Sequence, residues 1–297
     1  MSVIAIPNVS EGNDADVIEA CTQAVGRARA SILDVHSDPV HGRSVLTVVG
    51  GTQELIDGMK ALAVAAVAGI DLTSQAGVHP RLGVLDVCPF VAVGESARAQ
   101  AVEVARRAAA AIADGAGLPV YLYGDAALRE ETRELPDLRK GGLEALGRRA
   151  LSDLPPDHGP DVVDRAAGVV CVGARRVLIA FNVWLRGPAE IAKRVAASVR
   201  SSAGGPGGVR ALGFDMGHGL SQVSMNLVDP ERTGIEEVFE AVADLARVEG
   251  IEPIRSEIVG LVPERYLPAP DAKAARLLDP PGRSLESALK ESARPDR

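Results

Sequence analysis

The sequence predicts an α/β (α+β) fold made of two β-α-β-β-α-β halves, and three observations carry that expectation. Short apolar runs bounded by Gly, Pro or Asn alternate with longer stretches of helical periodicity. The order strand, helix, strand, strand, helix, strand is read twice along the chain. The 297 residues are 46% hydrophobic, enough for two domains of ordinary size. Aromatic residues are only 3%, so the cores must be built from Ala, Val, Leu and Ile.

In the first half, residues 3–6 form an apolar run stopped by Pro7-Asn8. A helix from about Asp14 places Val17, Ile18, Cys21 and Val25 on one face, with Ser10 or Asn13 available as a cap. Residues 32–35 and 44–49 read as strands flanking the polar stretch from His36 to Arg43. Thr52 can cap a helix running to about Gly69, and residues 84–87, continuing towards Val93, read as the next strand. An Ala-rich helix (97–113) and a strand (120–123) extend this half. Residues 125–168, rich in Pro, Gly and charge, read as an irregular loop or strap.

The second half repeats the order. Residues 177–185 form a strand, and Pro188 opens a helix to about Arg200. After the Gly-rich turn 201–208, residues 209–214 and 220–228 make a hairpin around Met216-Gly217-His218-Gly219. Thr233 caps a helix over 235–249, and residues 254–259 close the set. The expectation is two ferredoxin-like subdomains, 1–175 and 176–267, with mixed sheets, outer helices and a substrate groove between them. Residues 268–297 form a tail, a strap or disorder.

Composition narrows the function. Acids outnumber bases 40 to 32, a net charge of -8, which argues against nucleic acid as partner. The three cysteines, Cys21, Cys88 and Cys171, are scattered and sit in apolar company, which points to buried thiols rather than a disulfide or zinc framework. No signal peptide is visible at the amino terminus, and the longest charge-free apolar run, 61–70, is about half a bilayer span. A cytoplasmic protein with no membrane partner is expected.

Among the five histidines, His79 has the best local setting for chemistry. It sits in a loop flanked by Gly77 and Gly83, before Pro80 and two residues from Arg81. An imidazole exchanges protons near neutrality, although a loop histidine bonded to backbone has the same sequence appearance. His36, Asp38 and His41 are spaced as in no common zinc motif, so no metal is expected. Asn8 after the first strand can donate and accept, or merely enter a helix. Arg43, Arg81 and Arg175 can hold carboxylates bidentately, the alternative being surface solvation.

Several segments together resemble the glutamate formiminotransferase family, the domain found in the bifunctional formiminotransferase-cyclodeaminase, here without the cyclodeaminase. They are Pro7-Asn8-Val9-Ser10-Glu11-Gly12 and Gly77-Val78-His79-Pro80-Arg81-Leu82-Gly83-Val84-Leu85-Asp86-Val87-Cys88-Pro89-Phe90. Pro119-Val120-Tyr121-Leu122-Tyr123-Gly124, Leu178-Ile179-Ala180-Phe181-Asn182, Gln222-Val223-Ser224-Met225-Asn226-Leu227 and Ile258-Val259-Gly260-Leu261-Val262-Pro263 follow in family order. The resemblance implies formimino transfer between N-formimino-L-glutamate and N5 of tetrahydrofolate, two α/β subdomains and a homodimer. It puts the catalytic histidine at His79 and the folate loop at Gly159-Pro160-Asp161-Val162-Val163-Asp164-Arg165-Ala166-Ala167-Gly168. This loop ends in Ala-Ala-Gly where the vertebrate enzyme carries Ser-Trp-Gly. Pterin contact then falls to Tyr121, Tyr123, Phe181 or aliphatic walls.

The substrate-binding candidates are Asn8, Glu11, His36, Asp38, Arg43, Arg81, Asp86, Tyr123, Asn182 and Asn226. Glu11, Asp38 or Asp86 would face the amidinium of the donor, and Arg43 and Arg81 the carboxylates of glutamate. Competing expectations are formyl transfer from 5-formyltetrahydrofolate to glutamate, formimino transfer involving glycine, a non-catalytic folate-binding module, and a metal hydrolase using His36, His41 and His79.

Overall fold

A computed structural model describes residues 3–93 and 97–293, which divide into two compact units, 1–176 and 177–297. The first opens with β1 (Val3–Ala5) and β2 (Asn8–Val9), which both pair with β4 (Arg43–Val49) and β5 (Leu85–Ala92) and act as one strand broken at Ile6-Pro7. β3 (Ser31–Asp38) pairs with the outer edge of β4. These pairings are all antiparallel and give the order β5, β1/β2, β4, β3 of a split β-α-β arrangement.

The helices are α1 (Ala15–Arg27), α2 (Thr52–Gly69) and α3 (Arg98–Ala116). They carry Val25, Leu55, Met59, Leu62, Val104 and Ile112 into one core with Leu46, Val48 and Phe90 of the sheet. Full burial stabilises each of the larger side chains by about 1.5–3 kcal/mol. Asp14 is the cap of α1, accepting from Asp16 and Val17 N–H, so neither Ser10 nor Asn13 takes that role. Gly51 rather than Thr52 caps α2, its N–H donating to Glu54 Oε2 at 2.7 Å.

Beyond β5 the sheet continues with β6 (Val120–Gly124) and β7 (Val170–Arg175), the latter inserted between β5 and β6 and parallel to both. The sequence reading leaves β7 unassigned because both its faces are covered, so no alternation marks it. The stretch expected to be irregular, 125–168, contains the short helices α4 (Glu130–Arg133), α5 (Leu135–Leu138) and α6 (Gly142–Ala150). Leu138, Leu146 and Leu154 from this stretch form a second core with Tyr121, Tyr123 and Cys171.

The second unit is β8 (Ile179–Arg186), α7 (Ala189–Val199), β9 (Val209–Gly217), β10 (Leu220–Leu227), α8 (Ile235–Val248) and β11 (Pro253–Val259). The strands lie in the order β11, β8, β10, β9, all antiparallel. Phe181, Val183, Val223 and Met225 pack on Val195, Val199, Val238 and Phe239 of the helices. Gly234, not Thr233, is the cap of α8. The described part of the carboxy-terminal segment carries α9 (Lys273–Arg276) and α10 (Leu285–Ser292). Backbone bonds from Ser256 to Leu277 and from Leu285 to Val262 tie it to β11 and the residues that follow.

Candidate functional site

Four connections meet at one end of the first unit's sheet. Asp38 Oδ1 accepts the His41 N–H at 2.8 Å and the Asp38 carbonyl accepts that of Gly42 at 2.9 Å, closing a tight turn between β3 and β4. Gly42 is left-handed (φ +64°), and a Cβ there would sit 2.3 Å from the Ala76 carbonyl oxygen. Only glycine lets this turn approach the 71–84 loop so closely, and the Val78 N–H then reaches the Val40 carbonyl at 3.0 Å. The far end of the same loop is held by Ser10, whose N–H donates to Val84 at 2.8 Å and whose hydroxyl donates to the Gly83 carbonyl at 2.7 Å. His79 is thus carried on a loop pinned on both sides.

Asn8, Ser10, His41, Arg43, His79, Arg81 and Asp86 line one narrow crevice. Arg43 Nη1 lies 2.8 Å from His79 Nε2. A guanidinium can only donate, so Nε2 is the unprotonated, accepting nitrogen of a neutral imidazole. Burial, then the charges of Arg43, Arg139 and His41, hold the His79 pKa well below its ordinary value near 6.5. The His41 ring centroid stands 5.9 Å from that of His79. Asp86 Oδ1 accepts the Leu82 N–H at 2.7 Å, and its Oδ2 pairs with Arg139, which caps the end of α5. Arg139 is the site residue that sequence reasoning misses, because it lies in the stretch read as irregular.

The other candidates fall in three groups. Glu11 is buried, and its Oε1 accepts the N–H groups of Gly12, Asn13 and Asp14 while Oε2 accepts from Gln75 at 2.6 Å. Burial alone would raise its pKa, but these hydrogen bonds together lower it. Glu11 is therefore a fastening of the loop rather than a carboxylate open to a cationic ligand, and Asp86 is similarly occupied. Tyr123 packs its ring across Gly173, Tyr121 donates to the Leu154 carbonyl at 2.9 Å, and Phe181 is wholly buried, so all three serve cores. His36 sits on β3 opposite Val45. Asn182 and Asn226 lie on the second unit's sheet, where Asn182 is buried and donates to Glu257 at 3.1 Å and Asn226 is exposed.

The 159–168 loop runs beside the His79 loop. Its Ala166 carbonyl accepts the Leu72 N–H at 2.9 Å, its Ala167 carbonyl accepts that of Val84 at 2.9 Å, and Gly168 bridges to Gly83. Gly159, Pro160, Asp161, Val162, Asp164 and Arg165 remain exposed, while Val163 leans on Gly147. Among the described residues no group of three or more His, Cys, Asp or Glu side chains is placed to hold a metal. Burial raises the cysteine pKa values, Cys21 to about 11 and Cys171 to about 12, which removes thiolate chemistry. No described helix is long and apolar enough to cross a membrane.

Residues 2–175 match the formiminotransferase domain, N-terminal subdomain, and residues 180–272 match the formiminotransferase domain. The chain is 38% identical to glutamate formimidoyltransferase of Streptococcus pyogenes serotype M1, covering 89% of this chain and 90% of that protein. It is 38% identical to the Thermoplasma acidophilum protein of the same name, with 90% of each covered. Formimidoyltransferase-cyclodeaminase of Sus scrofa is also 38% identical, over 89% of this chain and 51% of that longer protein. With both parts of the domain matched in order along almost all of its length, the chain belongs to the formiminotransferase family.

Proposed function

We propose that this chain transfers the formimino group between N-formimino-L-glutamate and N5 of tetrahydrofolate, with His79 as general acid and base. The observation that carries the reading is the neutral His79 imidazole, its Nε2 held 2.8 Å from the Arg43 guanidinium among further positive charges. Attack by N5 on the amidinium carbon forms the new C–N bond and a tetrahedral intermediate. N5 must then lose its proton, and the glutamate nitrogen must gain one as its C–N bond breaks. One imidazole does both, taking the proton from N5 and returning it to the leaving amine, and no net proton is consumed.

Arg43 occupies Nε2 in the structure. A carboxylate of the incoming donor draws the guanidinium onto itself and leaves the nitrogen open to the N5 proton. Of the carboxylates considered for the amidinium, Asp38 is the one assigned to it. Its Oδ1 accepts the His41 N–H, but its Oδ2 stands 3.9 Å from His41 Nε2, whereas both oxygens of Glu11 and of Asp86 have near partners. The backbone contacts of the 159–168 loop with Leu72 and Val84 support placing the folate beside His79. Tetrahydrofolate as co-substrate, a homodimer and a cytoplasmic setting complete the reading.

The test is steady-state turnover with formiminoglutamate, formylglutamate and formiminoglycine side by side, for the wild type and for His79→Ala and His79→Gln. Formiminoglutamate should be the preferred donor. Both variants should keep binding it while losing about 10²–10⁴-fold in turnover. Near-normal turnover in both overturns the assignment of His79.

A further inference from the structure

Arg139 has more donors than its pairing with Asp86 uses. A terminal nitrogen pairs with Asp86 Oδ2, and Asp86 in turn holds the Leu82 N–H of the His79 loop. The Arg139 Nε–H is nevertheless buried without an acceptor, and so is Nη1 of Arg81. Arg81 also lines the crevice beside Asp86 and His79. Buried polar groups are ordinarily satisfied, so two orphaned guanidinium donors on neighbouring parts of one site point to a missing acceptor. Arg43 brings a third guanidinium, now resting on His79. With Asp86 opposing them, three such cations make a locally positive site in a chain of net charge -8. Chloride or phosphate would satisfy the charge, but planar forks suit carboxylates best.

A formiminoglutamate donor has two carboxylates and a formiminoglycine donor has one, next to the reacting nitrogen in both. A site built around the second carboxylate leaves buried donors unpaired when the shorter donor binds, which is how large discrimination arises. We propose, resting on the formimino-transfer reading above, that Arg139 together with Arg81 receives the side-chain carboxylate of the donor and so determines the choice of glutamate over glycine derivatives. Arg139 would do this while keeping its grip on Asp86, because the guanidinium offers five N–H groups in one plane.

The experiment measures the ratio of kcat/KM for formiminoglutamate to that for formiminoglycine in the wild type, Arg139→Met and Arg139→Lys. The ratio should fall by at least about 10-fold in Arg139→Met and by a smaller factor in Arg139→Lys, which keeps a cation for Asp86. A role confined to supporting Asp86 and Leu82 would slow both donors equally, and an unchanged ratio overturns the proposal. Circular dichroism identifies a variant that fails to fold, in which case Arg139→Lys alone decides. If the wild type transfers no formimino group from any donor, the underlying reading fails. Calorimetric binding of N-formylglutamate against N-formylglycine then judges Arg139 independently: tighter binding of the former that Arg139→Met abolishes and Arg139→Lys weakens supports the proposal, and equal binding overturns it.

Discussion

The two units share a core of four strands in the same order, β5, β1/β2, β4, β3 in one and β11, β8, β10, β9 in the other. The first unit adds two parallel strands, and parallel strands need long crossovers. The crossover before β7 covers the second face of the extended sheet with Leu138, Leu146 and Leu154, and it delivers Arg139 and the 159–168 loop to the end where His79 lies. The second unit joins β9 to β10 by a two-residue turn. The chemistry-bearing cluster of the first unit therefore belongs to the added segment and the loops it touches as much as to the common core.

The strongest way to break this contrast is through Arg43. Arg43→Gln removes the guanidinium proposed to take a donor carboxylate; a charge-assisted hydrogen bond is worth roughly 1.5–3 kcal/mol, so KM for the formimino donor should rise by about 10–100-fold. The pH profile should move as well. The His79 pKa is depressed below 6.5, first by burial and then by Arg43. Taking away that neighbour raises it, and the acid limb of kcat/KM shifts to higher pH. Stability follows the same sign. A depressed folded pKa contributes stability that is present above pH 6.5 and lost as pH falls through the folded value. Denaturant titrations at pH 7.5 and 5.5 should show a smaller loss in Arg43→Gln than in the wild type. An acid limb that stays in place would mean that another group governs the profile.

Much of this site is visible in the sequence because its residues sit in short polar loops at strand ends. His79, Arg43 and Arg81 all stand between a clear apolar run and a glycine, and the structure brings them to one crevice. What the sequence hides depends on long-range packing. Arg139 follows a four-residue helix with too few turns to show periodicity, and β7 is apolar on both faces. Glu11 reads as a carboxylate free for a ligand until the turn that follows aims three N–H groups at it. Tyr123 reads as a stacking surface until Gly173, on the neighbouring strand, lets the ring lie flat against backbone.

A smaller effect separates the units by how their glycines are used. A Cβ on Gly83 would stand 1.9 Å from the Val169 carbonyl oxygen, and the Gly83 carbonyl is itself fixed by the Ser10 hydroxyl at 2.7 Å. Neither backbone can yield without moving the His79 loop or β7. Gly83→Ala should lower stability by about 1–3 kcal/mol, as other overpacked sites do. Its turnover should fall further than the unfolded fraction explains. A denaturation midpoint matching the wild type would show that the loop is not pinned there.

The smallest expected effect lies in the second unit and has the opposite sign. His218 and Gly219 join β9 to β10 with φ of +53° and +74°, the left-handed pair of a type I′ turn. Gly219 adopts this conformation freely, but His218 is exposed and carries a side chain that disfavours it. Asparagine tolerates the left-handed region best among residues with a side chain, and Asn-Gly is the preferred I′ sequence. His218→Asn should therefore stabilise the protein by on the order of 0.5 kcal/mol, a rise in Tm of about 1–2 °C. A lower Tm would mean that the imidazole makes a contact outweighing its backbone cost. The gain is available because space around Gly217 and Gly219 is open. At Gly42 and Gly83 the space is filled by the backbone of the next loop, so there the same kind of substitution can only cost stability.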